Sequence, residues 1–65
     1  MSKWGLVEGW LAGHAERRVD IRGAATGLVV TVIDPAVGEE RVEIGVGEEP
    51  STAAWRAIIL LYRAR

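Results

Sequence analysis

Residues 50–65 read as one amphipathic helix, and that helix constrains everything the rest of the chain can do. With Ile58 at zero and about 100° per residue, Ala54, Leu61, Tyr62 and Ser51 fall within about 60° of it, with Trp55 at the rim. Arg56 and Arg63 point the opposite way, so one stripe seeks a core and the back is solvated. Glu48 and Glu49 stand at the positive end, Pro50 suits a first turn, and Ser51 or Thr52 is placed to cap free amides. From Ala57 to Tyr62 the chain is continuously apolar, wider than one stripe needs. Leu60 falls between the two arginines, either as an ordinary exposed leucine or as a subunit contact.

A 65-residue chain makes one domain, residues 1–65, whose core alone gives marginal stability. It has no cysteine and one histidine, so disulfides, thiolate metal sites and a zinc site are not expected. Tight packing or self-association must serve instead, and three tryptophans favour both. The longest apolar run, six residues, is far short of the roughly twenty that a spanning helix needs, and no signal-peptide pattern is present. The expectation is a soluble, cytoplasmic protein. Absent Asn and Gln fit a thermophile or a GC-rich genome equally.

Working back from the tail, three segments read as strands. Arg17 to Gly23 alternates, with Val19 and Ile21 on one face and Arg18, Asp20 and Arg22 on the other. Gly23 to Gly27 is a short hairpin loop. Leu28 to Asp34 is apolar on both faces: Leu28, Val30 and Val32 on one, Val29, Thr31 and Ile33 on the other. Such a strand is usually central and covered on both sides. Asp34-Pro35 opens a turn, and Arg41 to Val46 alternates with Val42, Ile44 and Val46 inward. Ser2 to His14 reads as a first helix with an apolar face of Trp4, Val7, Trp10, Leu11 and His14. Gly5, Gly9 and Gly13 stack behind it, as drift toward small residues or as a groove for another backbone.

The fold class is therefore α+β: helix, three-stranded antiparallel meander, helix (αβββα). Two arrangements remain open. Both helices cover one face of the sheet and the other face meets another molecule, or the helices lie on opposite faces.

The order of elements is similar to the double-stranded-RNA-binding domain, which reads A-form RNA with its first helix, first hairpin loop and a lysine-rich start to its last helix. Here the last helix opens Gly47-Glu48-Glu49-Pro50-Ser51-Thr52, and the loop from Gly23 to Gly27 is uncharged, so RNA binding by that route is not expected. The hairpin strand Gly27-Leu-Val-Val-Thr-Val-Ile-Asp34, a third strand, and then Pro50-Ser-Thr-Ala-Ala-Trp-Arg-Ala57-Ile resemble the small ABA sandwich domain of bacteriophage proteins. That resemblance implies a phage or prophage origin, helices on both faces of the sheet and no catalytic residues.

Net charge is −1, unevenly spread: residues 34–49 carry Asp34, Glu39, Glu40, Glu43, Glu48 and Glu49 against one arginine. This block is a solvated face or a surface for a basic partner. Gly45-Val46-Gly47 precedes two glutamates that would repel phosphate. His14 is the one imidazole available to a nucleophile, and Ser51 is better placed as a cap. No enzyme, cofactor, metal or small-molecule substrate is expected. The sequence reads as a non-enzymatic protein-interaction module, encoded by a phage or mobile element, self-associating or modulating host machinery. Its candidate surface is Trp4, Trp10, Val29, Thr31, Ile33, Glu39, Glu40, Glu43 and Leu60. The alternative is a nucleic-acid binder using Arg17, Arg18 and Arg22.

Overall fold

Two tight turns fold the strands into a meander. The computed structural model describes residues 2–63. Its elements are α1 (Trp4–Ala12), β1 (Arg18–Ala24), β2 (Gly27–Asp34), β3 (Gly38–Gly45) and α2 (Pro50–Arg63), with the strands antiparallel in the order β1-β2-β3. This is the αβββα order that the sequence predicts. Ala24 pairs with Gly27, leaving Ala25 and Thr26 as the first turn. Asp34 pairs with Gly38 around Pro35, Ala36 and Val37. The Val37 N–H donates to the Asp34 carbonyl at 2.9 Å, and the Ala36 N–H donates to Asp34 Oδ1 at 3.0 Å. Gly38 closes that turn at φ 134°, which a side chain would resist.

The element ends differ from expectation for reasons of backbone pairing. β3 begins at Gly38 because the tight turn sets the ladder going at once, so Glu39 pairs with Ile33 and Glu40 with Val32. The strand ends at Gly45, and Val46, expected inward, lies in the turn beyond it at 91% exposure. α1 is shorter than Ser2 to His14. The Ser2 hydroxyl accepts from the Trp4 N–H, the chain leaves the helix at Gly13, and His14 is exposed beyond it. The tail beyond Arg63, expected to be helical, lies outside the described residues.

The core occupies one side of the sheet. Val30 and Val32 of β2, Val42 and Ile44 of β3, and Ala53, Ala54, Ala57, Ile58 and Leu61 of α2 are buried together with Val7 of α1. Both helices therefore pack on one face, and the two-sided arrangement implied by the ABA sandwich is not the one adopted. α2 lies against β2, β3 and α1 at once. This explains why its apolar run is too wide for one stripe: neighbours on two sides bury a broader arc. Leu60, expected on the polar back, is half-buried and packs against the core, while Ile59 is 45% exposed. The cover is displaced from β1. Ile21 pairs with Val30 and shares its face, yet remains 40% exposed.

Ser51 does not cap its own helix. Its hydroxyl accepts the Lys3 N–H at 3.0 Å and donates to Glu49 Oε1 at 2.8 Å, tying the entry of α1 to the first turn of α2. Its side chain is fully buried, so that bond is sheltered from water. The glycine row of α1 is also divided. The guanidinium of Arg17 lies 2.7 Å from where a Gly13 Cβ would stand, whereas Gly5 and Gly9 face open space. Replacing both with alanine should add about 0.8–1 kcal/mol of helix stability per site. A rise in Tm of about 10 °C by thermal melting is expected, and no rise would mean that α1 is limited by something other than propensity.

Candidate interaction surface

The outer face of the sheet is built by register. Opposite residues in antiparallel strands share a face, so Arg18, Ile33 and Glu39 form one row across it. Asp20, Thr31 and Arg41 form the next, and Arg22, Val29 and Glu43 the third. The central column, Val29, Thr31 and Ile33, is half-buried although, among the described residues, both helices lie on the opposite face of the sheet. The flanking rows supply the shelter, since the stems of Arg and Glu lie along apolar surface while their charges reach water. Between them is an open, shallow depression lined by Asp20, Arg22, Val29, Thr31, Ile33 and Arg41. Asp20 Oδ2 accepts from Arg22 Nε at 2.8 Å, an exposed pair that contributes little to stability.

Of the expected surface residues, Val29, Thr31, Ile33, Glu39 and Glu43 are brought together here. Glu40 is not. Pairing with Val32 puts it on the helix side of the sheet, where its carboxylate accepts from the Arg41 N–H at 3.3 Å. Because β3 extends to Gly38, Glu39 and Glu40 belong to a strand and alternate sides, so the acidic block is divided between two faces. Trp4, Trp10 and Leu60 are half-buried against the core and form no part of this surface.

Trp10 belongs to a different cluster, a closed circuit of hydrogen bonds that the sequence reading missed. Its Nε1 donates to the Tyr62 hydroxyl at 2.8 Å, and that hydroxyl donates to Asp34 Oδ2 at 2.7 Å. Arg17 Nε donates to the same oxygen at 3.1 Å, and Arg17 Nη1 returns to the Trp10 carbonyl at 2.7 Å. The guanidinium also lies over the indole, 5.0 Å from the ring centroid. One carboxylate thus clasps α1, α2, the α1–β1 link and the end of β2. The signal was available: Asp34 follows Leu28, Val30 and Val32 in the inward phase of β2, and a carboxylate there needs partners. Among the described residues, no buried side-chain polar atom lacks a hydrogen-bond partner.

The Tyr62 hydroxyl, followed by the Ala36 N–H and Arg17, holds the Asp34 carboxyl below its ordinary value, against the opposing effect of burial. A lowered folded-state pKa gives stability that is present above the unfolded value and lost as pH falls through the folded one. Asp34→Asn should therefore lower Tm by several degrees at neutral pH, leaving Arg17 without its ion-pair partner. The gap from the parent should close on acidification below 3.8, the ordinary value. Paired melts between about pH 7 and pH 2 check it, and a gap that fails to narrow below 3.8 would contradict the clasp.

Arg17, expected on a basic strand surface, is consumed by Asp34, with its side chain 17% exposed. Arg18 and Arg22 remain on the outer face, with Asp20 between them. Among the described residues, no group of three or more His, Cys, Asp or Glu side chains is placed to hold a metal ion, and no helix is long and apolar enough to cross a membrane.

Comparison of the chain with protein-family models, with curated proteins and with solved structures finds no match. The geometry alone carries the functional reading.

Proposed function

We propose that this chain is a non-enzymatic protein-interaction module whose working surface is the outer face of its sheet. One observation carries the reading. The central strand keeps an outer row, Val29, Thr31 and Ile33, that no other element among the described residues covers, and frames it with charged side chains on both flanks. Core-like residues ringed by polar ones are the anatomy of a protein interface. The open depression over that row suits a contacting surface better than a small molecule, which requires an enclosing pocket. Within this reading, a phage-encoded modulator of a host protein is the setting suggested by the resemblance of Pro50-Ser-Thr-Ala-Ala-Trp-Arg-Ala57-Ile to the ABA sandwich domain.

A photo-crosslinking amino acid at Thr31, the centre of the face, tests the proposal against the same group at Arg56, which is exposed on the solvent side of α2. Irradiation in concentrated solution and in cell extract should give protein adducts from Thr31 and none from Arg56. No adduct from Thr31 in either setting would overturn it.

A further inference from the structure

Resting on the protein-interaction reading, we infer that the occupant of the outer sheet face is a second copy of this chain, stacked face to face with its strands running parallel to the first. The argument is the charge pattern. Along β1 the outer residues are Arg18, Asp20 and Arg22, and along β3 they are Glu39, Arg41 and Glu43. Row by row the two flanks are opposite in sign: Arg18 with Glu39, Asp20 with Arg41, Arg22 with Glu43. The flanks stand two strand spacings apart, about 9.6 Å. That is near the Debye length in ordinary buffer, so within one chain this opposition has little to act on.

Two symmetric ways of stacking the face on itself keep the strands aligned. Rotation about the axis of β2 sets β1 over the partner's β3, with every row kept at its own height. Each arginine of β1 then meets a glutamate, Asp20 meets Arg41, and all six crossings in the dimer are attractive. Rotation about an axis across the strands sets each flank over its own counterpart reversed. Arg18 then meets Arg22, Asp20 meets Asp20, Glu39 meets Glu43 and Arg41 meets Arg41, and every crossing is repulsive. Alternation along a single strand has an ordinary explanation in same-strand pairing, as between Asp20 and Arg22. The opposite phase of the two flanks is what makes the face complementary to itself in one orientation and self-repelling in the other.

In the attractive orientation Val29, Thr31 and Ile33 stack on their own copies along the axis, and the uncovered row acquires its second layer. Three strands by about six residues span roughly 14 by 20 Å. That is about 280 Å² on each copy, below a standard specific interface, so charge complementarity and not area must select the partner, and the dimer should be weak, form only toward high micromolar concentration and dissociate on dilution.

Charge reversal tests the geometry. Sedimentation equilibrium of the parent should pass from the 7.1 kDa of one chain toward twice that mass as concentration rises. Asp20→Arg alone and Arg41→Glu alone each set like charges together and should hold the chain at 7.1 kDa. The Asp20→Arg/Arg41→Glu double variant restores opposite signs and should associate again. An equimolar mixture of the two single variants should also associate, because one presents two cations where the other presents two carboxylates. Thermal melts of each variant verify folding, and the mixture provides the readout even if the double variant folds poorly.

A parent that stays at one chain mass at every concentration, single variants that associate like the parent, or a mixture that fails to associate would each overturn the parallel stack. Dimerisation through strand edges would give the second of these results. If the parent stays monomeric while the Thr31 crosslinker captures a protein of different mass, the second copy is overturned and the protein-interaction reading stands. If it captures nothing, both fall.

Discussion

Leu61→Ala should remove most of the stability of this domain. Leu61 is fully buried, and it is the largest of the fully buried side chains. Truncating such a leucine loses its transfer free energy and leaves a cavity, together about 2–5 kcal/mol. α2 meets β2, β3 and α1 simultaneously, so collapse toward the cavity on one side opens a gap on another. A domain of this size has only about 5 kcal/mol to lose. The expected result is a fall in Tm on the order of 10–30 °C, or no cooperative melt at 37 °C. Leu61→Met, which nearly conserves volume, should cost less than about 1.5 kcal/mol. Equal effects from the two substitutions would mean that the core does not sit where described.

Gly27→Ala should be the second most damaging change, and Gly23→Ala is its control. Both glycines flank the first hairpin. A Cβ on Gly27 would overlap the backbone oxygen of Ile44, with the Gly45 Cα at 3.0 Å, whereas a Cβ on Gly23 would meet nothing within 4 Å. The obstructing atoms are backbone, so β2 and β3 must part at this end. Ile44 is a core residue paired with Leu28, and moving its carbonyl draws its side chain out of the cluster. The cost should be about 3 kcal/mol, a fall in Tm of roughly 10–25 °C, with faster amide exchange at the end of β3. Gly23→Ala should be neutral or stabilising by up to about 1 kcal/mol, through the reduced freedom of the unfolded chain. If the two glycines behave alike, the close approach of β2 to β3 is wrong.

The order of elements was legible because each carries its own period: alternation in the first and third strands, helical spacing in the tail. The covered side of the sheet was not, because the central strand is apolar on both faces and so matches either choice. The first half of β3 was hidden for a similar reason. Glu39 and Glu40 are both polar, so no alternation announces the ladder that the preceding turn imposes. Of the candidate surface, the central row and Glu43 could be read from periodicity alone. Glu40 falls on the opposite face because adjacency in sequence is opposition in a strand, and Trp4, Trp10 and Leu60 lie against the core, since apolar residues at a rim resemble a contact surface until their neighbours are known. The clasp at Asp34 joins residues 17, 28 and 24 positions away, which no local pattern connects.

The hydroxyl of Ser51 and the clasp of Tyr62 hold α1 from the far side of the chain, so α1 has no seat until α2 exists. On the ribosome, the 37 residues from 13 to 49 separate the two helices, which at 5–20 residues per second is roughly 2–7 s of elongation. Through that interval a glycine-rich segment bearing two tryptophans emerges with its docking partner not yet made. A nascent chain stalled before α2 should be sticky and sensitive to protease in α1, and release of the remaining residues should cure both.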